Sequence, residues 1–197
     1  MTTLAPVFLS ASVPDPKRHP KYYESADVTA IREAVVALAR TVLPQSDLVF
    51  GGHPAISPLI ARVARDLDLF KRVIIYQSEE FRDVIPKDSL AFERLVWTDK
   101  RGDRNKSLEL MREQMLSEHK YRAGIFIGGM EGVEDEWKLF RTRHSNAPVY
   151  PIASTGGAAL ILFERERRHL DDRFAQDLSR EWVYGALFRR LLDPVTQ

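Results

Sequence analysis

Short apolar runs alternate along this chain with longer segments in which apolar residues recur every three or four positions. The short runs predict buried β-strands, and the longer segments predict helices with one apolar face. One such helix is expected from about residue 25, where Val28, Ile31 and Val35 share a face. The expected strands cover residues 6–13, 47–50, 72–76, 123–127 and 149–153, and a further short strand is possible at residues 94–97.

The alternation of the two patterns indicates the topology. Each predicted helix is long enough to cross a sheet and return the chain to a parallel strand. Strands that are covered on both faces have continuous apolar runs of this kind. The sequence therefore predicts one α/β domain over residues 1–197, with a parallel sheet of about five strands and helices on both faces.

Glycine pairs follow three of the predicted strands, and each stands where a helix can begin. The pairs are Gly51-Gly52, Gly128-Gly129 and Gly156-Gly157, and Ser10-Ala11-Ser12 ends the first strand in a similar way. Because the carboxyl ends of parallel strands meet at one edge of a sheet, we expect these segments to converge. Glycine allows a ligand to approach the backbone, and a helix N-terminus offers unpaired N–H groups. The pattern favours a site for a phosphate-bearing small molecule.

The segment from Gly128 to Glu136 adds four carboxylates to its glycines. Acidic residues in a first helical turn are stabilised by the helix dipole, so these carboxylates could be present only to stabilise the helix. Since carboxylates repel phosphate, the functional interpretation is that Glu136, or alternatively Glu131, accepts hydrogen bonds from ribose hydroxyls. Residues 154–157 have hydroxyls and free amides without nearby acids, so they are the better phosphate candidates, with N-capping as the alternative.

The candidate ligand-binding residues belong to four segments. Each segment alone is also compatible with a plain strand-to-helix connection. A turn histidine is most often only solvated, and so is a charged loop such as residues 98–107, which could otherwise close over an anionic ligand. The candidates are Ser10, Ala11, Ser12, Gly51, Gly52, His53, Gly128, Gly129, Met130, Glu131, Gly132, Glu136, Thr155, Gly156 and Gly157.

Composition limits the classes of function. The formal net charge of +1 gives no electrostatic support for a nucleic-acid partner or an anionic membrane. The chain has no cysteines, so disulfides and thiolate metal sites are excluded, and a cytoplasmic location is expected. The longest uncharged apolar run, residues 158–163, is far too short to span a membrane, and the N-terminus has no leader pattern.

Several familiar motifs are missing from the sequence. There is no G-x-x-x-x-G-K-[ST] P-loop, no G-x-G-x-x-G after the first strand and no G-x-S-x-G elbow. The 5 histidines form no H-x-x-x-H pair, so we expect neither a metal site nor a bound cofactor.

Taken together, the segments resemble the SLOG superfamily over nearly the whole chain. That superfamily has a Rossmann-like sheet, a Ser-rich or Gly-rich loop after the first strand, and a Gly-Gly-x-Gly-Thr-x-x-Glu signature at a later junction. Ser10-Ala11-Ser12 is similar to the loop, and residues 128–136 are similar to the signature. Glu136 keeps the family spacing from Gly132, although one residue is inserted before Gly132 and Val133 replaces the threonine.

The resemblance implies a Rossmann-like fold and a nucleotide ligand. In the sensor branch, which includes the domain that Thoeris-type anti-phage effectors use for cyclic ADP-ribose isomers, the implied ligand is a nucleotide or an ADP-ribose derivative. The alternative is a lonely-guy-like enzyme that cleaves or exchanges the N-glycosidic bond of a nucleotide, with Glu136 as the catalytic group, assisted by Arg104. The Met-His-x-Arg-Lys motif of those enzymes has no counterpart, and residues 103–107 occupy a comparable stretch. A third possibility is an interaction subunit with a vestigial site.

The resemblance also implies partners. Members of the superfamily assemble through helices that flank the sheet, so a homo-oligomer is expected. A final amphipathic helix with Trp182, Tyr184 and Phe188 on more than one face could contribute to this contact, or could belong to the core. Because no effector domain is fused within the 197 residues, a separate effector protein is a candidate partner.

Overall fold

The computed structural model describes residues 4–192, and its centre is a single six-stranded sheet. All the strand pairs are parallel. The strands are β1 (Leu4–Ser12), β2 (Ser46–Gly51), β3 (Val73–Ser78), β4 (Arg94–Thr98), β5 (Ala123–Gly128) and β6 (Val149–Ile152). The short strand that was possible at residues 94–97 forms as β4, so the sheet has six strands rather than about five.

Helices connect successive strands and cover both faces of the sheet, as an α/β Rossmann-like fold requires. A stretch without α-helix, residues 79–93, connects β3 to β4 and contains two short 3₁₀ helices, Glu79–Val84 and Lys87–Ala91. The α-helices are α1 (Pro20–Tyr23), α2 (Val28–Val42), α3 (Ser57–Asp66), α4 (Arg104–Ser117), α5 (Glu131–Arg143), α6 (Gly157–Glu166), α7 (Asp172–Arg180) and α8 (Tyr184–Leu192).

The strand order β4-β3-β2-β1-β5-β6 places β1 at the centre of the fold. The chain builds the sheet outward from β1 to β4 and then returns to the other side of β1 to form β5. The order therefore reverses between β1 and β5, whose last residues, Ser12 and Gly128, are register partners. In open parallel sheets, a ligand crevice lies at the carboxyl ends of the strands that flank such a reversal.

A separate hydrophobic core packs against each face of the sheet. In β1, Val7 and Leu9 belong to the core formed with α2, α3 and α8. Phe8 points to the opposite face, where it stacks on Phe140 of α5 with ring centroids 5.4 Å apart. Alternation of this kind is the period-2 pattern of a strand with both faces buried.

The end of the described chain differs from the expected single helix. Glu181 adopts an extended conformation, and its carboxylate accepts hydrogen bonds from the amides of Trp182 and Val183, at 2.9 and 2.8 Å. Helix α7 ends at Arg180 and α8 begins at Tyr184, so the segment divides into two helices. Tyr184 and Phe188 are buried in the core, whereas Trp182 is exposed. Self-association of the chain stays a prediction.

Helix α3 begins at Ser57, and Ile56 occupies its N-cap position. The Ser57 hydroxyl is buried and has no hydrogen-bond partner among the described residues. Pro58 lies within the first turn, where its missing N–H costs nothing.

No helix within residues 4–192 is long and apolar enough to cross a membrane.

Candidate functional site

A cavity of about 500 Å³ lies at the carboxyl ends of the strands. Its walls come from the ends of β1 and β2, from α4 and α5, and from the connection after β3. The cavity therefore spans the reversal point between β1 and β5. The predicted site residues that line it are Ala11, Ser12, Gly51, Gly52, His53, Met130, Gly132 and Glu136.

Glu136 is the acidic group of this cavity, and its carboxylate is held from two sides. Ser10 Oγ donates a hydrogen bond to Glu136 Oε2 at 2.5 Å. Arg112 Nε lies 3.5 Å from Glu136 Oε1. Burial raises the pKa of Glu136, although Arg112 and Ser10 both act in the opposite direction. The Ser10 hydroxyl therefore holds the carboxylate in place, and within the described chain Ser10 itself does not line the cavity.

The carboxylates that crowd the start of α5 are each paired with a basic side chain. A phosphate near this loop would therefore meet less negative charge than the sequence suggests. Glu134 is buried and turned toward α1, where Tyr22 Oη donates a 2.6 Å hydrogen bond to its Oε1. The pairs are Glu131 with Arg18 (3.8 Å), Glu134 with Arg165 (2.6 Å), Asp135 with Arg112 (3.6 Å) and Glu136 with Arg112 (3.5 Å).

The segment Thr155–Gly157 lies at the same edge of the sheet but, within the described chain, does not line the cavity. Thr155 Oγ1 accepts a hydrogen bond from the amide of Gly128 at 2.9 Å. The amide of Gly157 donates to Ser25 Oγ at 3.1 Å, so it is already occupied by the protein itself. A Cβ at Gly156 would lie 1.8 Å from the carbonyl oxygen of Ser25. These contacts brace the loop before α5, and contact of this segment with a ligand stays a prediction.

The loop between β5 and α5 requires glycine because its main chain adopts a left-handed conformation. Gly128 and Gly129 have φ angles of 56° and 87°, in the left-handed region that residues with a Cβ rarely adopt. A Cβ at Gly129 would also lie 2.3 Å from a methyl group of Val133. The pair lets β5 turn sharply into α5, which brings Met130, Gly132 and Glu136 to the cavity. Gly128, Gly129 and Glu131 are not among its lining residues within residues 4–192.

Two basic side chains from the sequence analysis also reach the cavity. His53 is half-buried, and its Nδ1 accepts a hydrogen bond from the amide of Ala55 at 3.2 Å. Burial lowers the pKa of His53, so its ring is neutral near pH 7. Arg104, in the first turn of α4, places its guanidinium 5.2 Å from the ring centroid of Phe81. The charged segment of residues 98–107 therefore contributes one arginine to the site, from the first residue of α4.

Several residues of the cavity wall were not predicted from the sequence. Arg112 lies on the inward face of α4 with Leu108 and Met111, both of which also line the cavity. A charged residue at that helical position, four residues after Leu108, is a signal that could have identified it. Phe81 belongs to the connection after β3, which has apolar residues but no helical or strand period. Such a segment gives no secondary-structure signal in the sequence.

The geometry agrees with comparisons to known proteins. The family model described as the SLOG cluster3 family matches residues 21–192, and this match supports a nucleotide-related function. The chain is also similar to the X-ray structure of TM1055, a Northeast Structural Genomics Consortium target, with a TM-score of 0.56 and 16% identity over 86% of this chain and 88% of that one. At this identity the likeness shows the fold alone. No curated protein matches the chain. The chain belongs to the SLOG cluster3 family.

Proposed function

We propose that the protein binds a nucleotide-derived ligand of the ADP-ribose or cyclic ADP-ribose type in the cavity at the carboxyl ends of the strands. The observation that carries the proposal is the combination, in one cavity, of the largely buried carboxylate of Glu136 with the guanidinium groups of Arg18, Arg104 and Arg112. A carboxylate accepts hydrogen bonds from ribose hydroxyls, and arginines bind phosphate through paired N–H groups.

The dimensions of the cavity suit an elongated ligand. Its lining runs from the end of β3, at Gln77, across β2 and β1 to the turn after β5, at Met130 and Gly132. Three strand spacings separate β3 from β5 in the sheet order, which corresponds to about 14 Å. In this proposal a sugar lies near Glu136, which is between the two ends.

The arginines differ in how far they are neutralised by the protein. Arg112 faces both Glu136 and Asp135, and the guanidinium of Arg18 lies 3.8 Å from Glu131. Among the described residues no carboxylate pairs with Arg104, and its guanidinium lies over the Phe81 ring. A phosphate is therefore expected to contact Arg104 without displacing an ion pair.

The wider role in this proposal is sensing. The protein would detect its ligand in the cytoplasm and pass the signal to a separate effector protein, as in anti-phage defence. The support is the resemblance to the sensor branch of the superfamily together with the family match over residues 21–192.

A thermal-shift screen tests ligand binding directly. The compounds are ADP-ribose, its cyclic isomers, NAD, AMP and cyclic dinucleotides. A ligand present at a hundredfold excess over its dissociation constant adds about 2.7 kcal/mol to the free energy of unfolding. The proposal expects at least one adenine ribonucleotide to raise the melting temperature in this way. A melting temperature that no compound changes would contradict it.

The alternative function is cleavage of the N-glycosidic bond of a nucleotide, and one observation favours it. Burial raises the pKa of Glu136, and a carboxyl group that stays protonated nearer neutral pH can donate a proton to a leaving base. Chromatography for free base after prolonged incubation with nucleoside monophosphates tests this activity. If the wild-type protein releases free base and neither Glu136→Gln nor Arg104→Gln does, the enzymatic function replaces the sensing proposal. If the nucleotide is intact after incubation with the wild type, the result supports sensing.

A further inference from the structure

We infer that residues 77–86 form the subsite for the ligand's base, and that Gln77 selects a base with an exocyclic amino group, such as adenine, over one with a carbonyl at that position. The inference rests on the proposed function, because it assigns one end of the same cavity. It is carried by two features of this end of the cavity, an apolar wall and a fixed carboxamide.

The apolar wall comes from the connection after β3. Phe81, Val84, Ile85 and Pro86 all line the cavity. The Val84 side chain is 71% exposed, although it lies at the edge of a concave surface. Large aliphatic side chains that remain exposed at a cavity mouth gain from contact with a planar ring, because the contact removes apolar surface from water.

The segment that carries this wall is tied to the body of the protein at several points. The Ser78 hydroxyl accepts a hydrogen bond from the amide of Glu80 at 3.3 Å. Lys100 Nζ lies 2.8 Å from the carboxylate of Glu80. The guanidinium of Arg82 lies 4.0 Å from the ring of Trp97 on β4. These contacts hold the wall in place, so it is a preformed surface.

Gln77 supplies the polar group at this end. Its side chain is 4% exposed and lies at the carboxyl end of β3. Nε2 donates a hydrogen bond to the carbonyl oxygen of Gly52 at 3.1 Å, which fixes the orientation of the carboxamide. Within residues 4–192, Oε1 has no hydrogen-bond donor, and Gln77 lines the cavity. The structure therefore presents a fixed acceptor beside the apolar wall.

A fixed acceptor discriminates between bases by the group that they place opposite it. The exocyclic amino group of adenine donates a hydrogen bond to such an oxygen. Hypoxanthine has a carbonyl oxygen in the same place, so two acceptors would face each other and both would lose water without gaining a partner. Glutamine uses the same chemistry when it recognises adenine in nucleic acids.

Matched pairs of nucleotides test the inference with the full chain. The dissociation constants of AMP and IMP, and of ADP-ribose and its hypoxanthine counterpart, are measured by calorimetry, with ribose 5-phosphate as the compound that lacks a base. We expect the adenine compound of a pair to bind about tenfold more tightly, as one discriminating hydrogen bond supplies. In Gln77→Leu the ratio between the two compounds is expected to fall to about one.

Val84→Ser provides a second variant, because Val84 is exposed and its replacement does not disturb a core. It is expected to weaken the adenine compounds about fivefold and to leave ribose 5-phosphate unchanged. The matched control is Leu90→Ser, since Leu90 is also exposed but does not line the cavity within the described chain. The control is expected to change neither affinity.

The outcomes separate the two proposals. If the wild-type protein binds neither of these adenine compounds and no compound of the thermal-shift screen, the proposed function fails and the base assignment fails with it. If it binds adenine and hypoxanthine compounds equally, or if Val84→Ser leaves the adenine affinities unchanged, the base assignment alone is overturned. A ratio near ten that disappears in Gln77→Leu supports it.

Discussion

The ion pair between Arg112 and Glu136 gives the sharpest prediction about the site itself. Arg112 Nε lies 3.5 Å from Glu136 Oε1, and the two side chains are only 18% and 13% exposed. Arg112→Leu keeps an apolar side chain of moderate size on the inward face of α4 but removes the positive charge. The carboxylate of Glu136 then remains buried with the Ser10 hydroxyl as its partner.

The expected loss of stability follows from this geometry. Removing one partner of a buried ion pair costs 3–5 kcal/mol, because the other charge is left without compensation. The pair is still partly exposed and Glu136 keeps its hydrogen bond from Ser10, so the expected cost of Arg112→Leu lies at the lower end of that range, about 3 kcal/mol. For a domain of this size that loss lowers the melting temperature by about 6–12 °C.

The pH dependence has a definite sign. Loss of Arg112 raises the pKa of Glu136 further, because the guanidinium was favouring the charged carboxylate. A group whose pKa is raised in the folded state binds more protons there than in the unfolded state, so stability increases as the pH falls through the folded pKa. The loss of unfolding free energy caused by Arg112→Leu should therefore become smaller as the pH falls from 8 toward 5.

Urea denaturation of the single and double variants measures these quantities. Glu136→Gln removes the uncompensated charge, so Arg112→Leu with Glu136→Gln should recover about 2 kcal/mol relative to Arg112→Leu alone. The control is Arg143→Leu, which breaks an exposed ion pair with Glu113 and should cost less than about 1 kcal/mol. If Arg112→Leu is as stable as the wild type at pH 8, or the second substitution restores nothing, the reasoning is refuted.

Three further predictions concern groups around the site. Tyr22→Phe removes the hydrogen bond to the buried carboxylate of Glu134 and should lower the free energy of unfolding by about 2 kcal/mol in urea denaturation. Gly156→Ala should destabilise the fold by more than about 3 kcal/mol, because the main chain there has a φ of 69° and the added Cβ would collide with the backbone of Ser25. The control is Gly185→Ala in α8, where the added Cβ meets nothing closer than 3.7 Å, so this variant should be neutral or stabilising. Burial lowers the pKa of His53 below the ordinary imidazole value of 6.5, so its contribution to stability is lost as the pH falls from 6.5 through the folded pKa, and NMR titration of the ring protons should show the lowered value.

Much of the fold was predictable because its signals are local. A buried parallel strand such as β5 reads as a continuous apolar run, and α2 shows helical spacing with a proline just beyond its end. The sixth strand, β4, was harder to identify, because its burial is only partial and its pattern is short. Between α7 and α8 the side chain of Glu181 accepts hydrogen bonds from the next two amides, and helical spacing in the sequence gives no sign of such bonds.

The site was predictable only where chemistry and strand ends coincide. Glu136 and the Gly51-Gly52 turn line the cavity, as expected from their positions after strands. Arg112 could not be placed by that reasoning, because it lies in mid-helix and enters the site through the packing of α4 against α5. The amides near Gly157 were expected to be free, but the Gly157 amide is bonded to Ser25. This contact joins residues that are distant in the sequence, so local sequence patterns could not reveal it.

A variant that fills the cavity tests the central claim most directly. Gly51 lines the cavity and has no left-handed backbone, and a Cβ there would approach the flexible end of Met111 at 3.2 Å and Glu136 Oε1 at 3.9 Å. Gly51→Leu therefore extends a side chain from the cavity wall without requiring a left-handed main chain, and the flexible ends of Met111 and Met115 must move to admit it. We predict that calorimetry detects binding of ADP-ribose or a related adenine nucleotide to the wild type and none to Gly51→Leu, while the unliganded variant remains folded. Undiminished binding to the folded variant, or no binding to the wild type, would contradict the account.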